Sequence, residues 1–257
     1  YLDHNATTPV LQEVLDVMLP FYRHGFGNPS SVHSEGRAAR VRLDEAREQV
    51  AELIGAQSGE VVFTSGGSES NNFAILGVAL GTNNEKRHIV TCEVEHAAIL
   101  NPLKQLECLG FQVECLPVDG VGRVDPERVK SALTESTVLV TIQHANSEVG
   151  TLQDIVEIGD CVRKKGILFH TDAVQSVGKM PVNLRNLPVD LLSISSHKLY
   201  GPKGVGALFI RRGTPALFSP VCGGGQEKKR RGGTENVPGV VGFGKACQIA
   251  RDRMARG

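Results

Sequence analysis

Seven short runs of the chain are apolar or alternate apolar with polar residues: 61–64, 88–91, 112–117, 138–142, 167–171, 191–195 and 205–210. Their Val, Ile, Leu and Phe content and the turn residues around them predict strands. Between them apolar residues recur at helical spacing, over 34–53, 69–80, 97–109, 126–133 and 154–165, with a further pattern over 240–256. Strands alternating with helices predict an α/β fold in which a mainly parallel, seven-stranded sheet is covered by helices on both faces. No repeat, low-complexity stretch or long linker divides the chain. The expected organisation is an N-terminal segment, 1–14, followed by one large domain, 15–257.

Composition narrows the classes. Lys and Arg together number 28 and Asp and Glu 28, a balance that offers no affinity for polyanions and argues against a nucleic-acid partner. Apolar runs such as 73–80 fall far short of the ~20 residues of a membrane helix, and no basic stretch followed by an apolar one opens the chain. A cytoplasmic protein without a membrane partner is expected. The six cysteines, Cys92, Cys108, Cys115, Cys161, Cys222 and Cys247, are scattered, with no C-x-x-C pair and no His at ligand spacing, so neither a metal nor a disulfide framework is expected. The chain starts at Tyr1 and stops at Gly257 within the last helical pattern, which reads as a cut.

In a parallel sheet ligands bind at the carboxyl ends of strands, and there the chemistry-bearing residues gather. In the run Ser193 to Gly206, Lys198 follows an apolar strand and precedes a glycine-rich turn. In a partly desolvated pocket such an ammonium loses its proton more readily, which suits an imine-forming amine; a surface lysine in a loop is the plainer alternative. Ser195 and His197 flank it with donors able to hold a phosphate. The run Phe63 to Asn72 ends a strand and opens a helix, so the amides near Gly67 and Ser68 form a ready anion site, or simply an N-cap. Asp172 follows the buried-looking strand 167–171, where an acid is costly unless paired. A pyridinium nitrogen is one such partner, a helix start another, and Gln175 could reach the same ligand. His96 sits at a strand-to-helix junction, and His144 to Gly150 follows the strand 138–142. Together these strand ends can handle a phosphate, a pyridine ring, a phenolic oxygen and an imine.

At these residues the sequence resembles the class V aminotransferase family of fold-type I pyridoxal-5′-phosphate (PLP) enzymes, and within it the cysteine desulfurases of the nitrogen-fixation and iron–sulfur-assembly type. The similarity runs from Leu2-Asp-His-Asn-Ala-Thr-Thr-Pro9 and Gly27-Asn-Pro-Ser-Ser-Val-His33 through the motifs above to Gly223-Gly-Gly-Gln-Glu227 and Arg231-Gly-Gly-Thr-Glu-Asn236. It implies PLP as cofactor, Lys198 as its Schiff-base lysine, Asp172 against the pyridine nitrogen, Gln175 toward the phenolic oxygen and His96 stacked on the ring. Lys198 and His96 would be the catalytic residues, Lys198 taking the substrate Cα proton and His96 managing that of a thiol. Gly67, Ser68, Ser195 and His197 would hold the phosphate, and Thr234 would reach the phosphate of the other subunit of a homodimer.

The implied reaction takes sulfur from L-cysteine, leaving alanine and a protein-bound persulfide for a sulfur acceptor or iron–sulfur scaffold protein. Two departures qualify it. Where the family has Asn-Asn-Glu this chain has Asn146-Ser147-Glu148, so the contact to the phenolic oxygen falls on the shorter Ser147. The family's nucleophilic cysteine and carboxylate-binding arginine belong to a C-terminal small domain, which is expected to be absent from this chain. Selenocysteine lyase is the near alternative, and a non-catalytic PLP-binding scaffold the alternative of another class.

Overall fold

The computed structural model describes residues 1–81 and 86–256. The seven strands are β1 (Val61–Thr64), β2 (His88–Cys92), β3 (Gln112–Leu116), β4 (Thr137–Thr141), β5 (Leu168–Asp172), β6 (Leu191–Ser195) and β7 (Gly206–Ile210). They form one sheet in the order β1-β7-β6-β5-β4-β2-β3. Among its pairings only those of β7, with β1 and with β6, are antiparallel. Two reversals restore direction, so β1 runs in the same sense as β6. The carboxyl ends of β1, β2, β4, β5 and β6 therefore open on one edge of the sheet.

Successive strand residues face opposite sides, and each side has its own core. Val62, Ile89, Leu139, Leu191 and Leu208 pack with Phe73, Ile75 and Val78 of α3 (Gly67–Gly81) and with Ile99, Leu103 and Leu106 of α4 (Ala97–Cys108). On the other side Val61, Phe63, Val90, Val140, Leu192 and Phe209 meet the remaining helices. These are α1 (Gln12–Arg23), α2 (Ser34–Leu53), α5 (Pro126–Ala132), α6 (Ile155–Lys164) and a C-terminal helix, Val237–Met254. The α/β sandwich is the expected one, with α1 as an addition. Its pattern is thin, because Val14 and Met18 are its only fully buried residues and Pro20 interrupts it. Docking on the C-terminal helix stabilises it instead.

One buried ion pair fastens the far loop to this frame. The guanidinium of Arg47, on α2, meets Glu227 in a fork of two hydrogen bonds, 2.7 and 2.6 Å, and also donates to Val61 O at 2.9 Å. Glu227 Oε2 accepts from Phe63 N–H at 2.9 Å, and the guanidinium lies 4.6 Å above the Phe63 ring. Glu227 opens a left-handed turn, with φ of 46°, 57° and 66° at Glu227, Lys228 and Lys229. Such angles are costly for residues with a Cβ, and the ion pair compensates. Replacing Arg47 by Leu leaves a buried carboxylate without its cation. The expected loss is about 3–5 kcal/mol, read by urea unfolding; a loss below ~1 kcal/mol would show that the pair does not hold the turn.

Candidate functional site

The turn from β1 into α3 builds an anion cradle. Gly66 has φ of 153°, and a Cβ on Gly67 would lie 2.8 Å from Val174 Cγ2. Thr64 Oγ1 meets Ser70 Oγ at 2.8 Å, and Ser65 N–H donates to Glu69 Oε2 at 2.8 Å. Ser70 N–H closes the first helical bond onto Gly66 O. The amides before it have no acceptor within the helix and lie at the positive end of its dipole. Opposite stand Ser195, at the end of β6, and His197, whose Nδ1 meets Thr7 Oγ1 at 3.0 Å.

Asp172 is the last residue of β5, inside the strand where a position just beyond it was expected. It is buried, Oδ1 accepting from Val174 N–H at 2.9 Å and Oδ2 from Asn71 Nδ2 at 2.7 Å. Burial raises its pKa, while those two hydrogen bonds and the neighbouring His96 and Lys198 side chains oppose the rise. Lys198 follows β6 in a single 3-10 turn, and its pKa is lowered by burial against the attraction of Asp3 and Asp172. Its Nζ donates to Ala6 O at 2.8 Å and to Asn5 O. Asn5 is a junction of this N-terminal strap. Its carbonyl also accepts from Gln175 Nε2 at 3.0 Å, and its Nδ2 donates to Ser147 O at 2.9 Å.

His96 caps α4, Nδ1 accepting from Ala98 N–H at 3.0 Å, an arrangement that assigns the ring proton of the neutral imidazole to Nε2. Asn146 does not stand in for Ser147. Its side chain bonds Val94 O and the turn amides of Glu148 and Val149, and it is Ser147 that faces the cavity.

These pieces surround one cavity of about 300 Å³. Gly67, Ser68, His96, Ser147 and Asp172 line it, as do Gln175, Ser195, His197 and Lys198. Thr234 is elsewhere: it is exposed and borders a separate cavity of about 220 Å³ with Arg231, which forks onto Glu69 at 2.8 and 3.1 Å. None of the six cysteines lines the main cavity. Among the described residues no group of three or more His, Cys, Asp or Glu could hold a metal ion. The sequence reading missed Asn71, Gln143 and the strap carbonyls. Asn71 had a signal, its place one turn after Gly67 on the helix face turned to the sheet; a backbone carbonyl has none.

The set fits a phosphorylated pyridine. Glycines whose Cβ would fill the cradle leave room for a phosphate, and a buried, doubly hydrogen-bonded acid faces the same cavity as a half-buried lysine. When bound, PLP would rest its phosphate on the α3 amides, Ser68, Ser195 and His197, with Asp172 for its ring nitrogen and Lys198 for its aldehyde carbon.

Behind this wall Glu95 is buried, its Oε1 accepting from Gln143 N–H at 2.6 Å and from Cys92 Sγ at 3.3 Å, its Oε2 without a partner. Burial pushes its pKa up to about 8. The folded protein then keeps a proton that the unfolded chain has lost, so this group's stabilisation falls as pH rises toward 8. Buried His170, pushed down to about 3, has the opposite effect and only below its ordinary 6.5. Between pH 6.5 and 8 Glu95 therefore dominates this pair. Glu95→Gln, which mimics the protonated acid, should flatten a decline of about 1–2 kcal/mol over that window in urea unfolding. An unchanged slope would place the proton elsewhere.

The sequence model of the family described as aminotransferase class-V matches residues 1–255. A cysteine desulfurase IscS of Dictyoglomus turgidum is 54% identical over 250 residues, 97% of this chain and 63% of that protein. A cysteine desulfurase IscS of Methanosarcina thermophila is 47% identical, with 97% and 62% covered. Among solved structures, a NifS-like protein superposes with a TM-score of 0.96 at 44% identity, over 100% of this chain and 70% of its own. A structure of SspA in complex with cysteine gives 0.94 at 42%, over 96% and 72%. The chain thus spans somewhat less than two thirds of the length of these two IscS relatives.

Proposed function

Because the chain belongs to the class V aminotransferase family, we propose that it is the PLP-binding part of a cysteine desulfurase, acting on L-cysteine. The observation that carries this is the placement of Lys198 and the buried Asp172 on one cavity with an anion cradle between β1 and α3. PLP, when bound, supplies an electron-accepting ring that stabilises negative charge developing at the substrate Cα. Asp172 keeps a negative charge toward the ring nitrogen. Lys198, half-buried and with its pKa lowered, supplies an amine closer to its neutral form, fit to bond the cofactor and to hold the Cα proton at Nζ. His96, fixed through Nδ1, keeps Nε2 for proton exchange with a thiol. Gln175 and Ser147 serve the phenolic side, and the strap carbonyls of Asn5 and Ala6 cradle the Lys198 ammonium before cofactor arrives.

The sulfur product is proposed to pass as a persulfide to a cysteine beyond this chain, since no cysteine here lines the cavity, and onward to an acceptor or iron–sulfur scaffold protein. A homodimer is proposed, with Thr234 serving the other subunit; its exposure away from this chain's own cavity supports that reading. Exposed, unpaired thiols at Cys108, Cys115 and Cys222 suit the reducing cytoplasm. No described helix is long and apolar enough to cross a membrane.

The test is borohydride reduction of the chain incubated with PLP, followed by intact mass and peptide mapping. One adduct per chain on the Lys198 peptide is expected, with Lys198→Ala losing it. No adduct, or an adduct that survives Lys198→Ala at full yield, would refute the proposal.

A further inference from the structure

One side chain that orients Asp172 lies outside the strand-end pattern. Asn71, one turn into α3, is 1% exposed and lines the cavity wall. Its Nδ2 donates to Asp172 Oδ2 over 2.7 Å, while the other carboxylate oxygen takes the Val174 amide over 2.9 Å. The second donor comes from the turn that Asp172 itself opens, so Asn71 is the one that ties the acid to a different element. Its own Oδ1 is buried and has no hydrogen-bond partner. A buried acceptor left unpaired is costly, so the amide is oriented for the carboxylate at its own expense. Turned over, it would present an acceptor to a negatively charged oxygen.

The charged and titratable groups that act on Asp172 are His96, from the turn before α4, Lys198, from the turn after β6, and buried Glu95 beside His96. Lys198 and His96 favour the carboxylate, and Glu95 opposes it once ionised. Asn71 acts through a neutral donor that does not change with pH.

Building on the reading that this cavity binds PLP, we propose that Asn71 is a positioning residue that holds Asp172 as an oriented carboxylate toward the ring nitrogen of the cofactor. A merely structural Asn, filling space at the start of a helix, would leave the bound cofactor's properties untouched when replaced by a residue of its own size.

Asn71→Leu is that replacement, since it adds no charge. Asn71→Asp, nearly isosteric, exchanges the donor for a second acid facing Asp172, and two carboxyls so close share a proton. In the full chain loaded with PLP, this variant should lose roughly tenfold or more in PLP affinity. It should also move the midpoint of the pH titration of the bound-cofactor absorption by about one unit or more. Asn71→Leu, which removes the donor without adding charge, should change both in the same direction by less, and it keeps the test open if Asn71→Asp does not fold. In an Asp172→Asn background both variants should change affinity by less than about twofold, because their effect runs through Asp172. Unchanged affinity and midpoint, or equal losses with and without Asp172, would overturn the role of Asn71 alone. A parent chain that takes up no PLP would overturn the proposed function and this role with it.

Discussion

A carboxylate buried at the end of a central strand is the constraint around which this structure is arranged. Taking the charge of Asp172 out of water costs several kcal/mol unless partners replace the lost solvation. Here they come from four places: the Val174 amide, the Asn71 side chain, the Lys198 ammonium and the His96 ring. Each partner belongs to a different part of the chain. To bring them together β5, β6, α3 and the start of α4 must meet at one edge of the sheet, and the parallel order of the central strands brings their carboxyl ends there. Gly67 follows from the same demand, since a side chain there would collide with Val174, the residue whose amide supports the acid.

The N-terminal strap answers a second demand of the same kind. A half-buried ammonium at Lys198 needs acceptors, and the carbonyls of Asn5 and Ala6 provide them. Thr8 fixes the strap by accepting from Tyr200 N–H and donating to His197 O, so the segment is tied on both sides of Lys198. Both charges of the site, acid and amine, are thus held by neutral dipoles as well as by each other. Under the proposed function, that arrangement suits a molecule that carries a phosphate, a basic nitrogen and a carbonyl carbon.

Much of this was legible in the sequence because most of the strands are buried on both faces, the edge strand β3 being the exception. Runs such as 138–142 and 191–195 are mostly apolar, their strands are buried at every position, and several of the helices between them carry clear periodicity. Their ends shifted by a residue or two, enough to bring Asp172 inside β5. The helix α1 was missed because only Val14 and Met18 anchor it and Pro20 breaks the pattern; its stability comes from packing on a helix more than 200 positions away. At the site, charged and imidazole side chains stood out, since their burial is expensive and asks for a reason. Asn71 did not, because a neutral amide in the first turns of a largely buried helix has many ordinary uses. The contribution of Asn5 and Ala6 is made by main-chain carbonyls, which no residue type announces.

Asp172 acts as the partner of a ring nitrogen in the proposed function. The most direct measurement compares the affinity of the chain for PLP with its affinity for the analogue in which C–H replaces that nitrogen. In the parent protein the analogue should bind roughly tenfold or more weakly, since it leaves a buried carboxylate without its charged partner. In Asp172→Asn the gap should nearly close. Equal affinities in the parent protein, or a gap that persists without Asp172, would contradict that role.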